Sequence, residues 1–412
     1  DMSMKKYILL VAASIFLFSC SEMDEAKDVE KIQPLNTTIS VNVKVPDGVP
    51  APTSYTYKLN NFTDKIEIIK TGDGSGTITL DDVIPGIYTI NVSSEVTTAD
   101  FTYNFNGSVA NKQLLTDNQK VDVDVAASKS GNILLKELYY CGSKTPSGGS
   151  YFRDQYYEVY NNSNSVQYLD GLCIGNINPI VATASLPSYP GDNPDDYLYF
   201  MTVWQVPGVP QSLAGSTQNY PLQPGESAII AQMADNHQRE ALNPACPVNL
   251  IGAEFETYVR STAIIKDNPA INMKMAFWPS PAYQWLVTVF GGAYAIFYPD
   301  HEIDPNEYVS PINSKSKLCK ISIDCVVDAV ELVNDESKMK LKRMPAVLDA
   351  GATTVSGIYC GKSVTRKIKS TLEDGRVIYQ DTNNSTEDFE VTDKPVLRRN
   401  GAKIPAWNTW AN

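Results

Sequence analysis

Histidine is nearly absent from this chain: there are two in 412 residues, His237 and His301, and both stand in polar, loop-like sequence. A histidine-rich metal site is excluded, and a serine nucleophile would have to recruit one of these two rings as its base. His301 with Glu302, Asp304 and Glu307 reads as a solvated acidic loop rather than a metal site. No G-x-S-x-G, H-E-x-x-H, Walker loop or Rossmann fingerprint occurs, so nothing calls for a cofactor. The glycine-rich run Gly72 to Gly76 leads into a strand rather than a helix N-terminus, which makes it a hairpin turn and not a phosphate cradle. Positive charge is also scarce, with 34 Lys and Arg against 47 Asp and Glu and a net charge of -13. That balance gives nucleic-acid binding little electrostatic support. The densest basic stretch, Lys338 to Arg343, is short and reads as a solvated strand face. Long apolar runs are missing as well. Tyr7 to Phe18 falls well short of the roughly 20 residues of a membrane-spanning helix. The most apolar later stretch, 271–299, is cut by Pro279, Pro281 and Gly291-Gly292.

What is abundant is tyrosine, proline and glycine, at 23, 25 and 24 residues, a composition that leans towards strands and turns. At the start, Lys5 and Lys6 precede the apolar run and Leu17-Phe18-Ser19-Cys20 closes it, the pattern of a signal peptide over 1–19 ending at a cysteine. A small residue followed by cysteine is what bacterial lipoprotein processing requires, with Cys20 taking the lipid; an ordinary secretory signal is the alternative. Residues 20–36 then read as an acidic tether. Ser21-Glu22-Met23-Asp24-Glu25 resembles the export signal of Bacteroidetes lipoproteins, which implies an outer-membrane protein facing the cell exterior.

From Thr38 the period becomes two, with Ile39, Val41, Val43 and Val45 on one face, and further alternations follow up to Val125. About seven strands with turns between them predict a β-sandwich over 37–127. Gly76 to Leu80 and Val83 to Tyr88 resemble a hairpin of transthyretin-like and carboxypeptidase-regulatory-like domains. After a small, polar boundary at 126–131, a second domain is predicted over 131–412. Its strands Lys136-Glu137-Leu138, Glu158 to Asn161 and Leu169 to Leu172, the Pro221 to Ala231 strand and Asp328 to Leu332 resemble lamin-tail-like domains of uncharacterised Bacteroidetes lipoproteins. The fold class is therefore all-β, two immunoglobulin-like β-sandwich domains, the second carrying long loop insertions at 176–220 and 233–270. The first insertion holds too many prolines for a central strand. Asp235 to Gly252 is the best helical or irregular candidate. The 271–299 stretch reads either as two buried strands or as an exposed partner or ligand patch around Trp278, Tyr283 and Trp285. The Asn- and Asp-rich 381–388 run reads as loop-holding Asx-turns rather than a calcium site.

Six cysteines follow Cys20, and their pairing is open among fifteen arrangements. Cys319 and Cys325 alternate along one strand, which would hold them roughly 20 Å apart, beyond the about 7 Å between Cα atoms that a disulfide spans. The function expected is a non-catalytic surface binding or accessory lipoprotein. The resemblance implies partnership with a TonB-dependent transporter that takes up a glycan or an iron chelate. The alternative is a surface hydrolase with an unrecognised carboxylate site. If Cys20 carries the lipid, Cys20→Ala moves the protein out of the membrane fraction on cell fractionation. Retention of the variant with the membrane overturns the anchor.

Overall fold

The computed structural model describes residues 32–45, 48–97 and 102–411. Cys20, the signal segment expected over 1–19 and most of the tether expected over 20–36 lie outside them. Seven strands open the chain: β1 (Leu35–Lys44), β2 (Ser54–Asn61), β3 (Ile66–Asp73), β4 (Thr77–Val83), β5 (Gly86–Thr97), β6 (Thr102–Leu114) and β7 (Gln119–Lys129). They form one sheet in the order β3-β2-β5-β6-β7-β1-β4, with β1 and β7 parallel and every other pair antiparallel. The period-two pattern is what curls this sheet round a core. Tyr55, Tyr57 and Leu59 of β2, Tyr88, Ile90 and Val92 of β5, and Val121, Val123 and Val125 of β7 turn inward, and the intervening residues turn out. Edge strands β3 and β4 are thereby brought beside each other. Gly107 is required by close approach, because a Cβ there would stand 2.2 Å from the Asp124 carbonyl oxygen.

After a short link, β8 (Ile133–Tyr139) starts the second body. β8 pairs with Tyr156–Asn161 and with Ser363–Arg366 in a seven-stranded sheet that also holds Ser227–Ala231 and Phe389–Thr392. A six-stranded sheet faces it, built on Tyr197–Gln205, Cys173–Ile177, Ala293–Phe297 and Val326–Glu331. The main core lies between the two sheets and holds Leu138, Tyr157, Ile174, Trp204, Tyr294, Ile296 and Val330. A second cluster, with Cys173, Phe200, Val203, Ala295, Phe297 and Met344, covers the other face of the six-stranded sheet. That sheet is buried on both faces, which is why Cys173–Ile177 and Ala293–Phe297 are buried at every position. The fold is nearly all β; its α-helix among the described residues is the single turn Ser385–Asp388.

Several expectations are corrected. The first insertion contains a nine-residue strand, Tyr197–Gln205, at the heart of the six-stranded sheet. Its prolines bracket the strand, with Pro194 opening a 3-10 turn before it and Pro207 following it, so none interrupts the ladder. Of the two readings of Asp235 to Gly252, the irregular one holds: the stretch forms turns and no helix. The buried-strand reading of 271–299, by contrast, agrees with the structure, where Lys274–Phe277 and Ala293–Phe297 are strands and the second is buried throughout. The strand from Cys319 stops at Ser322, and Ile323–Cys325 is a 3-10 turn. The continuous strand assumed between Cys319 and Cys325 is therefore not there.

The basic stretch Lys338 to Arg343 is not a solvated strand face either. Arg343 is buried, its Nε donating to Glu331 at 2.7 Å and its other nitrogens to the Ile180, Leu332, Pro179 and Gly291 carbonyls. Glu331 in turn accepts from the Arg343 and Met344 amides. Arg343→Met strands Glu331 without its cation in a dry site, so urea unfolding is expected to show a loss of about 3–5 kcal/mol. Adding Glu331→Leu is expected to recover much of it, and a loss under about 1 kcal/mol in the single variant would show that the pair is not buried as described.

Candidate functional site

The outward faces of β2, β5 and β6 carry polar residues in register. Thr56 stands opposite Ser93, which stands opposite Asn106; Lys58 stands opposite Asn91, which stands opposite Ser108; Glu95 stands opposite Asn104. Because neighbouring strands lie about 4.8 Å apart, these rows make a continuous polar floor. The loop 380–388 of the second body closes over it. Asn104 Nδ2 donates to Ser130 Oγ at 2.9 Å and to the Asp381 carbonyl at 3.3 Å, and Asn106 Nδ2 donates to the Thr382 carbonyl at 2.9 Å. Asn383 Nδ2 reaches Ser128 Oγ at 2.5 Å, and Lys58 Nζ reaches Glu387 Oε1 at 2.7 Å and Glu67 Oε2 at 3.2 Å. Burial pulls the Lys58 ammonium towards neutrality, but the hydrogen bonds and charges of Glu387 and Glu67 outweigh it and raise its pKa. Floor and loop enclose a groove of about 390 Å³, lined mostly by amides and hydroxyls, with Gln380 and Asn384 on the loop side. Two polar atoms of the central row, Asn91 Oδ1 and Ser108 Oγ, are buried without a partner. Such atoms cost free energy until something hydrogen-bonds them.

A family model described as a protein of unknown function, DUF4876, matches residues 223–396. The crystal structure of a DUF4876 family protein from Bacteroides thetaiotaomicron is 39% identical in sequence, with a TM-score of 0.63, over 91% of this chain and 99% of that one. The chain belongs to the DUF4876 family. No curated protein matches it. The Bacteroides structure is consistent with the Bacteroidetes family read from the sequence. The stretch matched by the family model takes in the groove's loop wall, while its floor on β2, β5 and β6 precedes that stretch.

In this DUF4876 chain the three predicted contact aromatics do not form one patch. Tyr283 is exposed, at 62%, with the Arg260 guanidinium 4.4 Å from its ring centroid. Trp278 is half-buried and meets Trp204 edge-on. Trp285 is 2% exposed and packs against Tyr157, Trp204 and Tyr294, so it is a core residue and the patch reading fails there. The groove's own residues escaped the sequence reading. Their one signal was a run of outward strand positions rich in Asn and Ser where a solvated face usually carries Lys and Glu.

Neither histidine is placed to serve a nucleophile. His237 lies in a turn, as its sequence suggests, but its ring is buried. Its Nε2 hydrogen goes to the Met233 carbonyl at 2.8 Å, because a carbonyl can only accept, which leaves Nδ1 to accept from Tyr151 Oη at 2.7 Å. Burial lowers its pKa, so the ring is held neutral. His301 is exposed beside Asp300. Among the described residues no group of three His, Cys, Asp or Glu side chains is arranged to hold a metal ion. In the 381–388 loop, Asp388 accepts from the Thr382 amide and hydroxyl and from Gln380, so its oxygens are taken up in holding the loop.

For acid–base work the notable carboxyl is Glu256. It is fully buried and neither oxygen has a hydrogen-bond partner. Burial pushes its pKa up to about 8; the nearby Ala234 amide opposes this and the Asp267 and Asp235 charges add to it. The folded protein therefore holds a proton there that the unfolded chain, with a pKa near 4.5, releases. The stabilisation is complete below that unfolded value and is lost as pH rises through about 8. Glu256→Gln, which stays neutral, is expected to raise Tm by about 5 °C at pH near 9 and to change little at pH near 4. Equal effects at both pH values in a thermal melt refute the assignment.

Proposed function

We propose that this DUF4876 protein is a non-catalytic cell-surface lipoprotein that captures a glycan. It acts as a binding or accessory component of a TonB-dependent outer-membrane uptake system and is held to the outer membrane by a lipid on Cys20. The observation that carries the reading is the groove between the β2-β5-β6 face and the 380–388 loop, lined by Thr56, Asn91, Ser93, Asn104, Asn106 and Asn384. Neighbouring amides and hydroxyls offer donors and acceptors side by side, which is what a sugar's hydroxyls require. The same lining disfavours an anionic iron chelate. The Lys58 charge is already spent on Glu387 and Glu67, and Glu95 adds a further negative charge. The hydrolase alternative rests on Glu256, whose carboxyl is closed off from solvent.

The two bodies take finer assignments on the same footing. The curled sheet of β1 to β7 is a transthyretin-like module, supported by the Gly76 to Tyr88 sequence motif alone, because the expected hairpin is not formed: β4 pairs with β1 at the sheet edge while β5 lies between β2 and β6. The facing sheets that follow are a lamin-tail-like sandwich, supported by the β8 and Tyr156–Asn161 pairing that carries its opening motif.

Calorimetric titration with neutral oligosaccharides tests the capture reading. Ser93→Trp fills the groove from a partly exposed outward position and is expected to weaken binding at least about tenfold, about 1.4 kcal/mol, with Tm unchanged. Equal binding by the variant moves the site elsewhere on the molecule. Release of shortened sugars from the incubated glycan sinks the non-catalytic reading. Purification from detergent-solubilised membranes is expected to bring a TonB-dependent transporter with the protein.

A further inference from the structure

Among the six described cysteines, two sulfurs face each other across a long gap in sequence. Cys141 follows the end of β8 and is fully buried, while Cys360 lies in the exposed segment before Ser363–Arg366. Their Sγ atoms stand 3.4 Å apart. The backbones that carry them are clamped on both sides of the pair. Tyr359 donates its amide to the Cys141 carbonyl at 2.6 Å, and Gly361 donates to the Gly142 carbonyl at 2.9 Å. Gly142 sits at φ +71°, where a Cβ would stand 2.4 Å from the Tyr151 carbonyl oxygen. Only glycine fits there without displacing a neighbour, so the chain path that presents Cys141 is fixed. The other described thiols are otherwise engaged or sit elsewhere: Cys246 donates to Asp154, Cys173 points at the Gly171 carbonyl, and Cys319 and Cys325 pack around the outer face of the six-stranded sheet.

We infer that Cys141 and Cys360 close a disulfide, formed by exchange with an external disulfide oxidant, that ties the end of β8 to the segment entering Ser363–Arg366. The sulfurs need to approach from 3.4 Å to about 2 Å, and rotation of the exposed Cys360 side chain supplies that movement. The roles of the two residues follow from access. Cys360 is reachable, and its thiol pKa is lowered to about 6, first by the hydrogen bond from Cys141, with burial opposing. Its thiolate attacks one sulfur of the oxidant and expels the other as a thiolate, leaving a mixed disulfide on Cys360. Buried Cys141 then attacks the Cys360 sulfur and expels the second oxidant thiolate. Two protein thiols are oxidised, the oxidant's disulfide is reduced to two thiols, and the two protons pass to those thiolates. The cross-link closes a loop of 219 residues, a length at which the constraint on the unfolded chain is large.

The test incubates the purified full chain with oxidised glutathione, quenches with acid, alkylates the free thiols and maps peptides by mass spectrometry without reduction. A peptide pair joining Cys141 to Cys360, lighter by two hydrogen atoms than the reduced pair, is expected. Oxidation is also expected to raise Tm by about 5 °C, a rise that Cys360→Ser abolishes and Cys319→Ser leaves intact. Three outcomes overturn the inference: alkylation of both Cys141 and Cys360, glutathione retained on Cys360, or a different pairing. Because the mapping uses the unaltered chain, the result stands even if a variant folds poorly.

Discussion

One buried guanidinium holds the second body together and reaches as far as the groove. Arg366, 2% exposed, donates from Nε to the Leu135 carbonyl of β8 at 2.8 Å and from its terminal nitrogens to Asp328 at 2.6 Å and to the Gln380 carbonyl at 3.0 Å. Asp381 and Asp388 flank it at 3.5 and 3.4 Å, and its plane lies over the Phe389 ring. These partners come from both facing sheets and from the 380–388 loop. A planar fork of five donors can satisfy acceptors from three directions at once, which a lysine cannot do. The loop's position over β2, β5 and β6 is thus set by Arg366 as much as by the amides that touch it.

The charge balance at that centre sharpens the constraint. Three carboxylates share one guanidinium in a site closed to water. Burial pushes the Asp328 carboxyl up, against the pull of Arg366, and pushes Asp388 up in the same way. Arg366 itself stays charged, because its three acidic neighbours outweigh its own desolvation. The same device recurs nearby. Lys136, with no exposed surface, meets Glu158 at 2.8 Å and the Arg399 carbonyl at 2.7 Å, and Arg399 reaches back to Glu137. Buried pairs of this kind add little net stability over an apolar core. Their effect is on register: a one-residue slip of β8 would turn Lys136 and Glu137 away from their partners and leave each charge stranded.

The fold class was legible because strands buried on one face announce themselves by alternation, and β1 to β7 are of that kind. The six-stranded sheet was harder to read because both its faces are covered. Tyr197–Gln205 shows no alternation and stands among prolines, so it reads as an insertion even though every proline lies outside the ladder. Lys338 to Arg343 misled for a related reason: composition marks a basic run as solvated, and only tertiary structure places Glu331 beneath Arg343. His237 follows the same logic, a polar residue in polar sequence that Tyr151 and Met233 take into the interior. The contact aromatics divide along this line too, since Trp285 and Tyr283 have similar sequence surroundings but only Tyr283 is left outside by the packing. The groove could not be read locally at all, because its floor and its lid lie more than two hundred residues apart in the chain.

That separation bears on how a ligand is recognised. The floor is rigid, since Asn91, Asn104 and Asn106 stand on central strands paired on both sides, while the lid is a loop anchored at one end by Arg366 and at the other by a single helical turn capped by Asn384. A site of this construction is preorganised, so little ordering cost is paid on binding. If the groove captures a glycan as proposed, its selectivity would come from the spacing of donors and acceptors along the strand rows rather than from a charged or aromatic anchor. On the proposed capture reading, the match it would offer is to a ligand whose hydroxyls repeat at similar intervals.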